Sequence, residues 1–198
     1  MLRTLLAAAA AYVVGCLVGA YYIVRFRTGY DVRSTGSGNA GARNVLRSGD
    51  RLSATLTLVW DILKGAFAAW LARAIAPTEL GAGLAFIAVV AGHVWPAQLQ
   101  FRGGKGAATA LGYMLVVSPL AAIASCALGL VAGGLARSAT VGGLTAVAVA
   151  PIALLLLRGA WSLTAGAAVA CAIVLVMHHP SIDRRRHAPA MRPAQENT

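Results

Sequence analysis

Acidic residues are nearly missing from this chain: 198 residues carry six Asp and Glu against 17 Lys and Arg. Charged side chains of both signs make up 12% of the sequence, roughly half of the ~25% usual in soluble domains. So few charges cannot coat a water-soluble body, which excludes an ordinary cytosolic enzyme. Cysteine is scarce as well. Cys16, Cys126 and Cys171 all lie in apolar runs, with neither metal-ligand spacing nor the pattern of a disulfide framework. No metal site is indicated. Nothing reads as a linker between folded units, so one domain over 1–198 is expected.

What the chain does have is hydrocarbon and positive charge. Hydrophobic residues reach 59%, mean hydropathy is +0.72 and net charge is +11. The solvent for most side chains is therefore lipid. The cations come in blocks: Arg25, Arg27, Arg33, Arg43, Arg47 and Arg51, then Arg184, Arg185, Arg186 and Arg192. In a soluble protein such blocks would suggest nucleic acid. Here they flank apolar segments, and topology, anionic headgroups or phosphate ligands are the better readings, with no nucleic-acid partner.

Apolar stretches long enough to span a bilayer run over 4–24, 53–72, 80–97, 107–133, 141–157 and 159–177. The first reads as an uncleaved helix rather than a signal peptide, because it is long for one and further spans follow. Lys and Arg collect on the cytoplasmic side. That rule puts the loop 25–52 inside, the N-terminus outside, 73–79 outside and 98–106 inside. Six spans would then leave the basic C-terminal tail outside. The stretch 107–133 resolves the conflict, because Ser118-Pro119 divides it and proline breaks a helix. Read as two short helices that enter and return, buried within the bundle, it gives about seven transmembrane segments in an all-α polytopic protein of the inner-membrane type. Arg3, Arg73 and Arg158 are the cations left outside. Residues 179–198 are expected to form a basic, partly disordered cytoplasmic tail.

The run Arg33 to Arg47 is the most informative. Gly36, Gly38 and Gly41 let main-chain amides turn onto an anion. Ser37, Asn39 and Asn44 add donors, and Arg43 and Arg47 can hold phosphate oxygens bidentately. The glycines match the G-x-G-x-x-G of dinucleotide sites, but no strand precedes them and Asp61, at the expected ribose position, falls inside a span. The run therefore reads as a phosphate cradle; the plainer alternative is a flexible loop that only sets topology.

A second block, Gly103-Gly104-Lys105-Gly106, opens the helix after 106, where free amides attract anions. Gly106 stands where a Walker A loop has Ser or Thr, so it is not one. An interfacial turn with a snorkelling lysine is the alternative. His93 on its own reads as a structural histidine. Asp61 and Lys64, three apart on one span, can pair, in either a functional or a purely structural role. His178 and Asp183 match an H-x-x-x-x-D acyltransferase signature by accident, since Pro180 intervenes.

Together the block Gly36 to Asn44, Asp61-Ile62-Leu63-Lys64-Gly65, and Gly92-His93 through Gly103-Gly104-Lys105-Gly106 to Pro119 resemble the bacterial acyl-phosphate-dependent glycerol-3-phosphate acyltransferases, in the same order over nearly the whole chain. The resemblance implies acyl transfer from an acyl phosphate to the sn-1 hydroxyl of glycerol 3-phosphate, giving lysophosphatidic acid for phospholipid biosynthesis. It implies no cofactor and no metal. By matched positions Ser37, Lys105 and His178 become the catalytic group. Gly36, Gly38, Asn39, Gly41, Arg43, Asn44, Arg47, Gly103, Gly104, Gly106 and Thr140 line the phosphate and substrate sites. Membrane lipids are the other expected partners. The chain departs from the family pattern at Arg43, Ser181, Ala190, Cys16 and Val18, where threonine, asparagine, glutamate, serine and proline are usual. Those departures keep two alternatives open: a catalytically weakened relative that binds phospholipid precursors or acylates another acceptor, and a transporter of phosphorylated metabolites.

Overall fold

A computed structural model describes residues 1–179; Ser181, Asp183, Ala190, Arg192 and the rest of the basic tail lie outside the described residues. Among the described residues nine α-helices follow in order: α1 Leu2–Cys16, α2 Gly19–Thr28, α3 Ala42–Arg47, α4 Arg51–Ile75, α5 Glu79–Val94, α6 Ala107–Val117, α7 Pro119–Leu135, α8 Ala139–Arg158 and α9 Trp161–Met177. Short 3-10 turns stand at Val32–Ser34 and Ala97–Leu99. No strand occurs among the described residues. The stretches Leu2–Thr28, Arg51–Ile75, Glu79–Leu99 and Ala139–Arg158 are long and apolar enough to cross a membrane, and α6, α7 and α9 are shorter apolar helices. Among the described residues these four stretches and three shorter apolar helices account for the seven segments expected from the sequence.

Local chemistry sets the helix ends. Asp50 caps α4 by accepting from the Ser53 amide at 2.9 Å, and Thr78 caps α5 by accepting from the Gly81 amide at 3.0 Å. Gly159, at φ +64°, ends α8 in the left-handed region.

Helix packing relies on backbone-to-backbone approach. A Cβ on Gly92 would lie 2.2 Å from the Tyr12 carbonyl oxygen, fixing α5 against α1. A Cβ on Gly112 would lie 1.9 Å from the Ile62 carbonyl oxygen, fixing α6 against α4. At the centre, Phe86 of α5 stacks on Tyr113 of α6 with centroids 4.4 Å apart, and the Tyr113 hydroxyl donates to the Ala82 carbonyl at 2.7 Å.

Two expectations are corrected. First, the segment 4–24 is not one helix: it breaks at Leu17–Val18 without a proline. Other elements cap the freed carbonyls. Trp60 donates to the Leu17 oxygen at 2.8 Å, Gln98 to the Cys16 oxygen at 2.6 Å, and Lys64 to the Gly15 and Leu17 oxygens at 3.2 and 3.1 Å. Second, the pair 107–133 divides at Ser118-Pro119 as expected, but it is not a buried hairpin. The α6 half is enclosed, whereas α7 leaves Leu120, Ile123, Leu128, Leu130, Val131 and Leu135 exposed. The backbone at the break is satisfied by charge rather than by cover. The Val117 carbonyl accepts from Arg73 at 3.2 Å and from Arg158 at 3.0 Å. Arg158 also pairs with Glu79 at 2.9 Å.

These bonds show that α6 runs to the end of the bundle where α4 finishes and α5 begins. Eleven residues rise only about 16 Å, about half of a ~30 Å hydrocarbon layer. The turn before α6 is therefore drawn down into the bundle, where Gly106 packs among Val90, Val94 and Val174.

Candidate active site

The first glycine run folds around one side chain. Asn44, on α3, is buried and uses its whole carboxamide on the loop. Its oxygen accepts from the Ser37 amide at 2.7 Å and the Ser37 hydroxyl at 3.0 Å. Its nitrogen donates to the Val32 and Thr35 carbonyls, each at 3.0 Å. Gly36 is required between them. It sits at φ +56°, and a Cβ there would lie 2.4 Å from the Asn44 oxygen. Gly38 also has positive φ, +64°. Gly41 precedes α3 as its N-cap, with the side-chain nitrogen Nδ2 of Asn39 2.8 Å from where its Cβ would be. Ser37 and Asn39 are buried; Arg43 and Arg47 are exposed on α3.

The second run meets the first directly. The Ala40 amide donates to the Gly103 carbonyl at 3.3 Å. The Gly103 and Gly104 amides donate back to the Val94 and His93 carbonyls, both at 3.0 Å. A Cβ on Gly103 would lie 2.0 Å from the His93 carbonyl oxygen, so the turn tolerates no side chain there. Lys105 follows, half-buried, and Gly106 at φ +88° leads into α6.

A strap reinforces the seam. Arg33 grips Asp31 with contacts of 2.7 to 3.1 Å, lies over the Tyr21 ring with 4.9 Å to its centroid, and donates to the Leu99 carbonyl at 2.8 Å. Burial alone would raise the Asp31 carboxyl. The Arg33 side chain and backbone amide together outweigh it and hold the group below the usual carboxylate range.

The C-terminal half contributes two more of the expected residues. Arg43 hydrogen-bonds the Thr140 hydroxyl at the start of α8. His178 ends α9, where its Nδ1 donates to the Val174 carbonyl at 2.7 Å, and Val174 is the residue packed on Gly106. The two glycine runs, Arg43, Thr140 and His178 thus gather at one end of the bundle; Arg47 ends α3, and Lys105 lies on the turn that the Ala40–Gly103 bond joins to the first run.

Beneath the seam the structure adds a cluster that the sequence shows only in part. Asp61 and Lys64 pair at 2.9 Å, as their spacing allows, and His93 joins them with Nδ1 2.7 Å from the Lys64 ammonium. All three are buried. Asp61 and Lys64 carry a helix-spacing signal; His93, 29 residues further along the chain, carries none.

The glycerol-3-phosphate acyltransferase family model matches residues 5–188. The chain belongs to that family. A glycerol-3-phosphate acyltransferase of Bordetella avium is 42% identical over 181 residues, covering 88% of this chain and 85% of the relative. Another, from Desulfitobacterium hafniense, is 41% identical over 172 residues, covering 87% and 85%. The crystal structure of PlsY, an integral membrane glycerol 3-phosphate acyltransferase, in its glycerol 3-phosphate form superposes with a TM-score of 0.83 at 31% identity, covering 92% of this chain and 91% of that one. This acyltransferase is accordingly an integral membrane enzyme, and its two joined glycine loops lie within the matched region.

Proposed function

We propose that this enzyme transfers a fatty acyl group from an acyl phosphate to the sn-1 hydroxyl of glycerol 3-phosphate, giving lysophosphatidic acid and inorganic phosphate. One observation carries the reading: the Ala40–Gly103 bond joins the Ser37–Arg47 loop to the Lys105 loop, so cations and amides from both meet in one place. Two phosphorylated substrates need such a place.

The chemistry follows from the parts. The acceptor hydroxyl attacks the acyl carbon, the C–O bond to phosphate breaks, and the hydroxyl proton passes to a phosphate oxygen of the acceptor. No enzyme nucleophile is required, because phosphate is already a good leaving group. The Ser37 geometry supports this. Its hydroxyl donates to an amide oxygen, which cannot take a proton, so among the described residues Ser37 has no general base and it serves as a ligand. Lys105, Arg47 and the loop amides stabilise the departing phosphate and the developing oxyanion. Alignment of the two reactants supplies much of the rate. Asn44 shapes the cradle from behind, Gly36, Gly38, Asn39, Gly41, Gly103, Gly104 and Gly106 form its walls, and Arg43, Thr140 and His178 close its side. The basic end faces the cytoplasm, the N-terminus lies outside, and the membrane is the bacterial inner membrane.

The test is reconstitution in phospholipid vesicles with acyl phosphate and glycerol 3-phosphate. Lysophosphatidic acid should form, and Lys105→Ala should abolish it. A folded protein inert with acyl-phosphate donors would overturn the reading and favour the weakened relative.

A further inference from the structure

The buried Asp61–Lys64–His93 cluster is not used by the chemistry above, yet it touches the reactive turn. Three acceptors face the three N–H groups of the Lys64 ammonium: His93 Nδ1 at 2.7 Å and the Gly15 and Leu17 carbonyls at 3.2 and 3.1 Å, with the Asp61 carboxylate beside it at 2.9 Å as an ion pair. An ammonium only donates. As the ion-pair partner of Asp61, with its three N–H groups directed at these three acceptors, Lys64 leaves His93 Nδ1 to accept. The hydrogen bond made by one ring nitrogen fixes the tautomer. The proton of the neutral ring therefore sits on Nε2.

That outer edge is aimed at the seam. A Cβ on Gly104 would lie 2.0 Å from His93 Nε2 and 2.7 Å from Cε1, with the Ala40 carbonyl oxygen 2.9 Å from the same point. His93 is only 3% exposed, and no described residue accepts from Nε2. The same residue's carbonyl receives the Gly104 amide. His93 thus holds the turn from above and below, at the point where the first loop crosses it.

We propose that His93 is the positioning residue of the two-loop seam: Lys64 and Asp61 lock its ring as the Nε2–H tautomer, and the ring edge sets the height at which Gly104, and with it Lys105, meets a bound phosphate. The role in catalysis rests on the acyltransferase reading; the tautomer does not. Lys64 also ties the ring to the break in the first helix, so three elements set the position of one turn.

The experiment has two arms on the full-length enzyme in phospholipid nanodiscs. In the first, nitrogen NMR of protein with 15N-labelled imidazoles, with His93 assigned by its loss in His93→Asn, should show an unprotonated Nδ1 and a protonated Nε2 at neutral pH. A protonated Nδ1 overturns the proposal, whether or not the protein transfers acyl groups. In the second, KM is measured separately for acyl phosphate and glycerol 3-phosphate. His93→Asn keeps an acceptor near the Nδ1 position but removes the outer edge. It should raise KM for at least one substrate by about tenfold or more, with kcat falling less. His93→Gln, which restores an N–H near the Nε2 position, should recover part of that loss. Unchanged KM for both substrates in His93→Asn overturns the positioning role. A wild-type enzyme inactive with both substrates would sink the acyltransferase reading instead, leaving the NMR result to stand alone.

Discussion

A single oxygen of Asn44 takes both the amide and the hydroxyl of Ser37, at 2.7 and 3.0 Å. The first glycine-rich loop is thus organised by a residue with no hydrogen-bonding capacity left over. Asn44→Leu would strand the Ser37 amide and cost the Val32 and Thr35 carbonyls one donor each, leaving them only the donors of Thr35 and Gly38. Each unsatisfied buried group costs about 1–3 kcal/mol. The variant should melt several degrees lower and lose most of its acyl transfer. Thermal unfolding in detergent and steady-state kinetics check both; a stable, active Asn44→Leu enzyme would show that the loop is held some other way.

Arg43 departs from the threonine usual in the family and reaches across to Thr140. Both ends are solvent-facing, so Arg43→Thr should change stability by no more than about 0.5 kcal/mol. Acyl transfer should be kept or raised. A large loss of kcat/KM would mean that Arg43 has become a primary phosphate ligand in this chain, and the KM for each substrate would show which one it holds.

At the far end, two arginines share one acceptor, the Val117 carbonyl. Arg73→Ala or Arg158→Ala alone leaves the other donor in place and should cost little. The double variant leaves a carbonyl bare at a break in an apolar segment, at about 1–3 kcal/mol. The two changes should therefore be clearly non-additive in a thermal unfolding cycle. kcat should stay near wild type in all three, because the candidate site is at the opposite end; a fall in kcat in the single variants would contradict that separation.

The Asp31–Arg33 strap predicts a pH dependence. Folding lowers the Asp31 carboxyl below its usual value, so the strap's contribution is present above the unfolded-state value of about 3.9. It is lost as pH falls through the lower, folded-state value. Asp31→Asn should melt below wild type at pH 7, and the gap should close under acid conditions. A gap that widens as pH falls would contradict the assignment.

These cases also separate what the sequence displays from what only the folded chain reveals. The glycine runs at 36–41 and 103–106 are legible because positive φ and backbone proximity leave a local mark in glycine itself. The break at Pro119 is legible for the same reason. The break at Leu17–Val18 leaves no such mark. Trp60, Lys64 and Gln98 stabilise it from other elements, and no window along the chain contains them together. The depth of the Lys105 turn is equally hidden. It follows from α6 ending on Arg73 and Arg158, which lie 44 and 41 residues away from Val117. The seam between the two loops could be guessed from family order, but the Ala40–Gly103 bond that makes it is a tertiary contact.

The shortness of α6 has a consequence for traffic. Because the turn before α6 packs among Val90, Val94 and Val174 rather than at the rim of the bundle, a reactant that carries a fatty chain should react without leaving the hydrocarbon. The small water-borne one makes the descent. The bilayer then acts as part of the reaction vessel, and its thickness becomes a variable of the enzyme as real as any side chain.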